Sequence, residues 1–172
     1  PPQRSSNNLA WFAAAACAVL ALAGWWPRLQ EEGTGMPTSA ELAKDREELL
    51  AQEPVLRREW KSTEDPAARG VTGDIVWDEQ AQVGYMRFRG LPTNDPQQLQ
   101  YQLWIFDASR GDQYPVDGGV FDIPATETGE VIIPILARLP VRDPAMFAVT
   151  IEKPGGAVVS SRERIVVVAP VS

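Results

Sequence analysis

Tyr101-Gln102-Leu103-Trp104-Ile105-Phe106 is the stretch that decides the fold. In an extended chain successive side chains point to opposite faces, so Tyr101, Leu103 and Ile105 share one face and Gln102, Trp104 and Phe106 the other. Both faces are largely apolar, as a central strand covered on both sides requires. Upstream, Tyr85-Met86-Arg87-Phe88-Arg89 alternates cleanly. Met86 and Phe88 face the core, while Tyr85, Arg87 and Arg89 face away. Working outward, β-branched and aromatic runs alternate with Gly, Pro, Asn and Asp turns from Gly70 to Ser172. They predict strands near Val71–Asp78, Gly84–Arg89, Tyr101–Ala108, Val116–Asp122, Glu130–Ala137, Met146–Glu152 and Arg164–Ala169. Seven strands in about 100 residues fit an antiparallel β-sandwich of immunoglobulin size. Pro134 demotes its run to an edge strand or a bulge. Trp77, Phe88, Trp104 and Phe147 are expected in the sandwich core.

One motif occurs twice. Leu91-Pro92-Thr93-Asn94-Asp95-Pro96 matches Leu139-Pro140-Val141-Arg142-Asp143-Pro144 as L-P-x-x-D-P, 48 residues apart. Proline stops ladder pairing and Asp-Pro favours a turn. The pair predicts two similar crossovers between sheets, against the alternative of two proline-rich turns that agree by chance.

Composition narrows the chemistry. The 172 residues carry 16 Lys+Arg and 23 Asp+Glu, a net charge of −7, which argues against nucleic acid as a partner. There is no histidine and one cysteine. That removes Ser-His-Asp and Cys-His catalysis, His-ligated zinc and intrachain disulfides. No cofactor and no metal are expected.

Leu9 to Trp26 reads LAWFAAAACAVLALAGWW without a charge. Eighteen residues make about 27 Å of helix at roughly 1.5 Å per residue, enough for the hydrocarbon core of a bilayer. Trp11 and Phe12 near one end, and Trp25 and Trp26 at the other, form the aromatic pattern of two interfaces. A secretory signal peptide is the main competitor, but Gly-Trp-Trp-Pro does not suit cleavage. A buried soluble helix is the other. The stretch is read as a single membrane anchor over residues 9–27, after a polar tail at 1–8. Ala10, Ala14, Cys17, Ala18 and Ala21 form a small-residue stripe, read either as a packing face for partner helices or as a generic Ala-rich span. Contact residues with lipid and other membrane proteins are expected at Trp11, Ala14, Ala18, Trp25 and Trp26.

Residues 28–69 read as a stalk. Glu31-Glu32-Gly33-Thr34-Gly35 and Pro37 are linker-like. Thr38-Ser39-Ala40-Glu41 is a capping box that opens a helix from Ser39 to about Gln52, stopped before Glu53-Pro54. Leu42, Ala43, Leu49 and Leu50 make a thin apolar stripe that must lie on another surface, its own sandwich or a partner. Leu49 is the expected stalk contact, and the charged remainder is read as a solvated face. Val55 to Lys61 is a second short amphipathic piece whose Trp60 is expected to dock on the sandwich or on another protein. Residues 70–172 make up the β domain.

No catalytic constellation emerges. Asp78 with Glu79, and Asp107 with Asp112, sit where acids normally meet solvent. Asp112, Asp117 and Asp122 lack the ligand density of a calcium loop. Val116-Asp117-Gly118-Gly119 and Lys153-Pro154-Gly155-Gly156 read as turns. Ser160 and Ser161 have no histidine to activate them. The chain is expected not to be an enzyme.

Gly90-Leu91-Pro92, Tyr101-Gln102-Leu103-Trp104-Ile105, Gly118-Gly119-Val120-Phe121 and Phe147-Ala148-Val149-Thr150-Ile151-Glu152-Lys153-Pro154-Gly155-Gly156 occur in that order. The set resembles the C-terminal extracytoplasmic domain of the anti-sigma-K factor family, over about Gly73 to Val168 plus the preceding anchor. In that family a cytoplasmic N-terminal domain sequesters a sigma factor, one membrane helix follows, and a β domain lies outside. The resemblance implies the membrane and outer part of a transmembrane regulator in a bacterial cytoplasmic membrane. The residues after Trp26 would then be periplasmic or otherwise extracytoplasmic. Eight residues precede the apolar stretch here and no His-x-x-x-Cys-x-x-Cys motif is present, so this segment itself is expected to bind no sigma factor. The alternatives are an accessory structural subunit of a larger membrane complex, for example respiratory or photosynthetic, and an extracytoplasmic sensor module.

Overall fold

The computed structural model describes residues 37–111, 113–126 and 129–171. A helix, α1 (Ser39–Leu50), precedes the strands β1 (Leu56–Glu59), β2 (Lys61–Ser62), β3 (Thr72–Asp78), β4 (Val83–Arg89), β5 (Gln100–Asp107), β6 (Val116–Phe121), β7 (Glu130–Pro134), β8 (Pro144–Glu152) and β9 (Ile165–Pro170). They form a four-stranded sheet in the order β1-β3-β4-β7 and a five-stranded sheet in the order β2-β9-β8-β5-β6, with antiparallel pairing. All seven strands read from the sequence form, and two more join them. The largest boundary shift is at β7, which ends at Pro134 rather than Ala137.

Each sheet follows its alternation. Met86 and Phe88 are 1% exposed, whereas Arg87 and Arg89 point outward. β5 lies between β8 and β6 and is buried along nearly its whole length, so the two-sided apolar pattern has the expected cause. β7 is an edge strand, where Pro134 costs no ladder hydrogen bond. Trp60, Phe88, Phe121 and Tyr101 stack in series through the core, with ring centroids 5.3 to 5.8 Å apart. Trp77 and Phe147 are fully buried in the same core. Trp104 is also buried, but in a separate cluster with Phe106 and Ala148 on the outer face of the five-stranded sheet. Its place in strand alternation, opposite Leu103 and Ile105, sends it there.

The strands missed in the sequence close one margin of the sandwich. Leu56–Ser62, placed within the stalk from sequence, pairs with β3 as β1 and then with β9 as β2. The bend falls at Trp60, whose backbone N–H donates to Gly73 O (3.1 Å) and whose Nε1 donates to Arg87 O (3.2 Å). The other margin closes after β7. Leu136 N–H donates to Gly118 O (2.8 Å) and Arg138 N–H to Asp117 O (2.9 Å), which carries the chain from the four-stranded sheet alongside β6. An edge so covered does not recruit further strands.

Both L-P-x-x-D-P copies are crossovers from the four-stranded to the five-stranded sheet, β4 to β5 and β7 to β8. Their interiors differ. The first buries Leu91, 6% exposed, while the second exposes Leu139 at 51% and buries Val141 instead. Val116-Asp117-Gly118-Gly119, read as a turn, lies inside β6. A Cβ at Gly118 would stand 2.5 Å from Leu103 Cδ2, so glycine here admits a core leucine into the strand.

The capping box forms as read. Thr38 N–H and Oγ1 donate to Glu41 (2.7 and 2.8 Å), and Glu41 N–H donates back to Thr38 Oγ1 (3.3 Å). The Thr38 backbone and side-chain bonds hold the Glu41 carboxyl below its usual range. The helix ends at Leu50, two residues before the expected stop, and lies across β3, β4 and β7.

Candidate interaction surface

The residues that carry the resemblance bind one another. Tyr101 donates its hydroxyl to Pro92 O (2.9 Å), joining β5 to the first crossover. Burial pushes the Tyr101 phenol up to about 12. Gln100 Oε1 accepts from Gly155 N–H (2.8 Å) and Gln102 Oε1 from Ala157 N–H (2.8 Å). Gln102 Nε2 donates to Ala157 O and Asp117 Oδ1, each at 3.1 Å. Gly156 adopts φ +77, and a Cβ there would stand 2.5 Å from Val120 Cγ2 and 2.8 Å from Gln102 Oε1. The loop from Lys153 to Arg164 is thus bound down on the outer face of the five-stranded sheet.

Beyond this clamp the loop borders a cleft of about 90 Å³, lined among others by Trp104, Phe106, Tyr114, Val158, Val159 and Arg162. Arg162 places its guanidinium 5.2 Å from the centre of the Phe106 ring. Trp104 Nε1 donates to Thr150 Oγ1 (2.9 Å), and the Thr150 and Ser160 hydroxyls donate to Glu152 Oε1 (2.7 and 2.6 Å). Ser160 is therefore a loop tie beside a carboxylate. Val158, Val159 and Tyr114 are 97%, 77% and 67% exposed, so the cleft opens among apolar side chains in water. The sequence reading missed this surface. Its signal was the pair Trp104 and Phe106 on the Gln102 face of β5, together with two adjacent valines in a polar loop.

The acids read as solvated turn residues are largely engaged. Asp107, 1% exposed, accepts from Ser109 N–H and Oγ, from Arg142 N–H and from Asp143 N–H. Burial pushes its carboxyl up. The Ser109 hydroxyl, then the Arg142, Ser109 and Asp143 N–H groups, outweigh that and hold it below the usual range. Asp122 accepts from Asn94 and Gln100, and Asp117 from Gln102 and Gly119 N–H. Asp78 accepts from Gln80 and Ala81 N–H, ordering the β3–β4 turn. Asp65 is held below its usual range by the Arg164 guanidinium, against the opposing effect of burial. These carboxylates fasten loops.

The charged side of α1 corrects the sequence reading. Arg46 is 2% exposed, and its Nη2 donates to Asp74 Oδ1 (2.6 Å). Asp74, 1% exposed, also accepts from Arg57 Nε (2.8 Å) and from Arg87 Nε and Nη2 (each 3.1 Å). Leu49, the expected stalk contact with either its own sandwich or a partner, is 5% exposed within this domain. Burying a leucine stabilises by about 2 kcal/mol, enough to hold a short helix down but little more. Trp11, Ala14, Ala18, Trp25 and Trp26 lie outside the described residues. Among the described residues no helix is long and apolar enough to cross a membrane.

The described residues thus form a two-sheet antiparallel β domain that carries a helix on one outer face and an exposed apolar cleft on the other. The family model described as "Anti-sigma-K factor rskA, C-terminal" matches residues 11–161, and the chain belongs to that family. Neither a curated protein nor a solved structure matches the chain. The family is regulatory, its members are membrane-associated, and they work through protein–protein interactions.

Proposed function

We propose that this chain is a non-catalytic, single-pass protein of a bacterial cytoplasmic membrane. Its span is residues 9–27, its stalk begins at residue 28, and its β domain stands outside the cytoplasm. It acts by protein contact as the membrane and outer part of a transmembrane regulator. The observation that carries this reading is the reach of the family match: residues 11–161 take in nearly all of the uncharged stretch together with the sandwich as far as β8. The lack of histidine and the use of Asp107, Asp117, Asp122 and Ser160 as loop ties support a role without catalysis. Trp11, Ala14, Ala18, Trp25 and Trp26 are the proposed contacts within the bilayer, the tryptophans at its interfaces and the alanines against other helices.

Two measurements test it. A reporter active only outside the cytoplasm, fused after Ser172, gives signal if the sandwich is exported, and a cytoplasmic reporter at the same place stays silent. The reverse pattern overturns the topology. Purification through this chain from gently solubilised native membranes, with mass spectrometry, then identifies its companions. A sigma factor held through a longer form of the protein supports the regulator. Stoichiometric integral-membrane partners without one replace it by an accessory subunit.

A further inference from the structure

The ion pair between α1 and the four-stranded sheet, Arg46 with Asp74, has a further charged partner on each side. A buried ion pair normally resists separation because each half is left as an uncompensated charge. Here neither half is. Asp74 keeps Arg57 and the two-pronged Arg87, both on the strands beside it. Arg46 keeps Glu47, its neighbour on the helix, at 3.1 Å. The rest of the contact is slight: only Arg46 and Leu49 of the 12 helical residues are buried, and Arg46 Nε is buried without a hydrogen-bond partner. Beneath the helix, Val76 and Tyr85 are paired across β3 and β4, and Ile132 of β7 lies opposite Arg87 on the same outer face. Val76 is fully buried although it lies outside the core between the sheets. The helix packs against β3, β4 and β7, the strands that carry this strip, and burial, then the charge of Asp45 on the helix, raise the Tyr85 phenol above its usual range.

We propose that α1 is a separable strap that lifts from the four-stranded sheet as a unit while both sheets stay folded, uncovering the strip Val76, Tyr85 and Ile132. The strap works through redundant charge compensation: the Arg46–Asp74 link between helix and sheet breaks without stranding either charge. The inference needs only the described domain and holds on either side of a membrane.

Hydrogen–deuterium exchange on the full chain in mild detergent tests it. The α1 amides should exchange together, about a hundredfold or more faster than those of β3, β4 and β5, yet slower than unstructured chain. Arg46→Ala should speed α1 exchange by about tenfold and leave the strand amides unmoved. Equal protection in α1 and the strands overturns the proposal, as does an Arg46→Ala variant in which helix and strands quicken alike. Exchange of α1 at the rate of unstructured chain also overturns it, because the strap would then have no closed state.

Discussion

The two outer faces of the sandwich are both covered, by devices of opposite kinds. Over the five-stranded sheet lies a loop that joins adjacent strands and is tied down by Gln100 and Gln102 to its own backbone. Over the four-stranded sheet lies a helix joined to the sandwich at one end, held by an ion pair and a leucine. A cover closed into the chain at both ends and bonded through its main chain shares the cooperativity of the sheet. A cover attached at one end, through side chains whose charges are compensated elsewhere, has an equilibrium of its own.

Asp74 gives the largest test, because it serves the sheet and the strap at once. Asp74→Ala leaves Arg46, Arg57 and Arg87 crowded without their common anion, a loss of about 3–5 kcal/mol expected for the whole domain. Urea unfolding should show it as a lower midpoint with an unchanged slope. A loss confined to α1 would place Asp74 with the strap rather than the sheet.

Tyr101 reports on the core beneath both covers. Its folded pKa is raised to about 12, so its contribution is fully present below the unfolded value near 10 and disappears as pH rises through the folded one. A shift of this size is worth about 3 kcal/mol, and stability should fall by that amount between roughly pH 10 and 12. Tyr101→Phe should flatten this alkaline fall while lowering stability at neutral pH through the unpaired Pro92 carbonyl. A fall that survives Tyr101→Phe assigns it to another group.

Gln102→Leu attacks the tied loop alone. It keeps the side chain's bulk and strands the Ala157 N–H and carbonyl, while Asp117 Oδ1 keeps the Gly119 N–H, an expected loss of about 2 kcal/mol. If the loop shares the sheet's cooperativity, the loss appears in global unfolding. If exchange quickens only in residues 153–164, both covers are separable and the contrast fails.

The sandwich was legible because strand alternation writes burial directly into residue order, as Met86, Phe88 and β5 show. The capping box at Thr38 was legible for a similar reason, since its partners are three residues apart. What escaped was set at a distance. β1 reads Leu-Arg-Arg-Glu, which is no strand until β3 offers its backbone. Arg46 and Asp74 are 28 residues apart, and nothing local marks this arginine among its charged neighbours as the buried one. Asp107 sits at a strand end, where solvent is the ordinary expectation, and is buried because the second crossover folds its N–H groups onto it. The motifs that mark the family proved to be ties within the fold, so they identified the domain without indicating where it makes contact. The cleft takes Trp104 from one of these motifs, but it forms only where the loop bearing Val158 and Val159, more than 50 residues on, folds back beside it.

Thr38→Ala is the smallest change and the most selective. Loss of the cap hydroxyl should remove about 1 kcal/mol from the helix, since it leaves the Glu41 N–H without its acceptor. Glu41 also loses the Thr38 hydroxyl, one of the two donors that stabilise its carboxylate. Both effects fall on a terminus far in sequence from any strand, so they reach the sheets only if helix and sheet unfold as one. A strap with its own equilibrium takes the full effect, with α1 exchange quickened about fivefold and the urea midpoint unmoved. A helix integral to the domain spreads the same free energy over the global transition, lowering the midpoint and quickening β3, β4 and β5 by the same factor. The two covers then become alike.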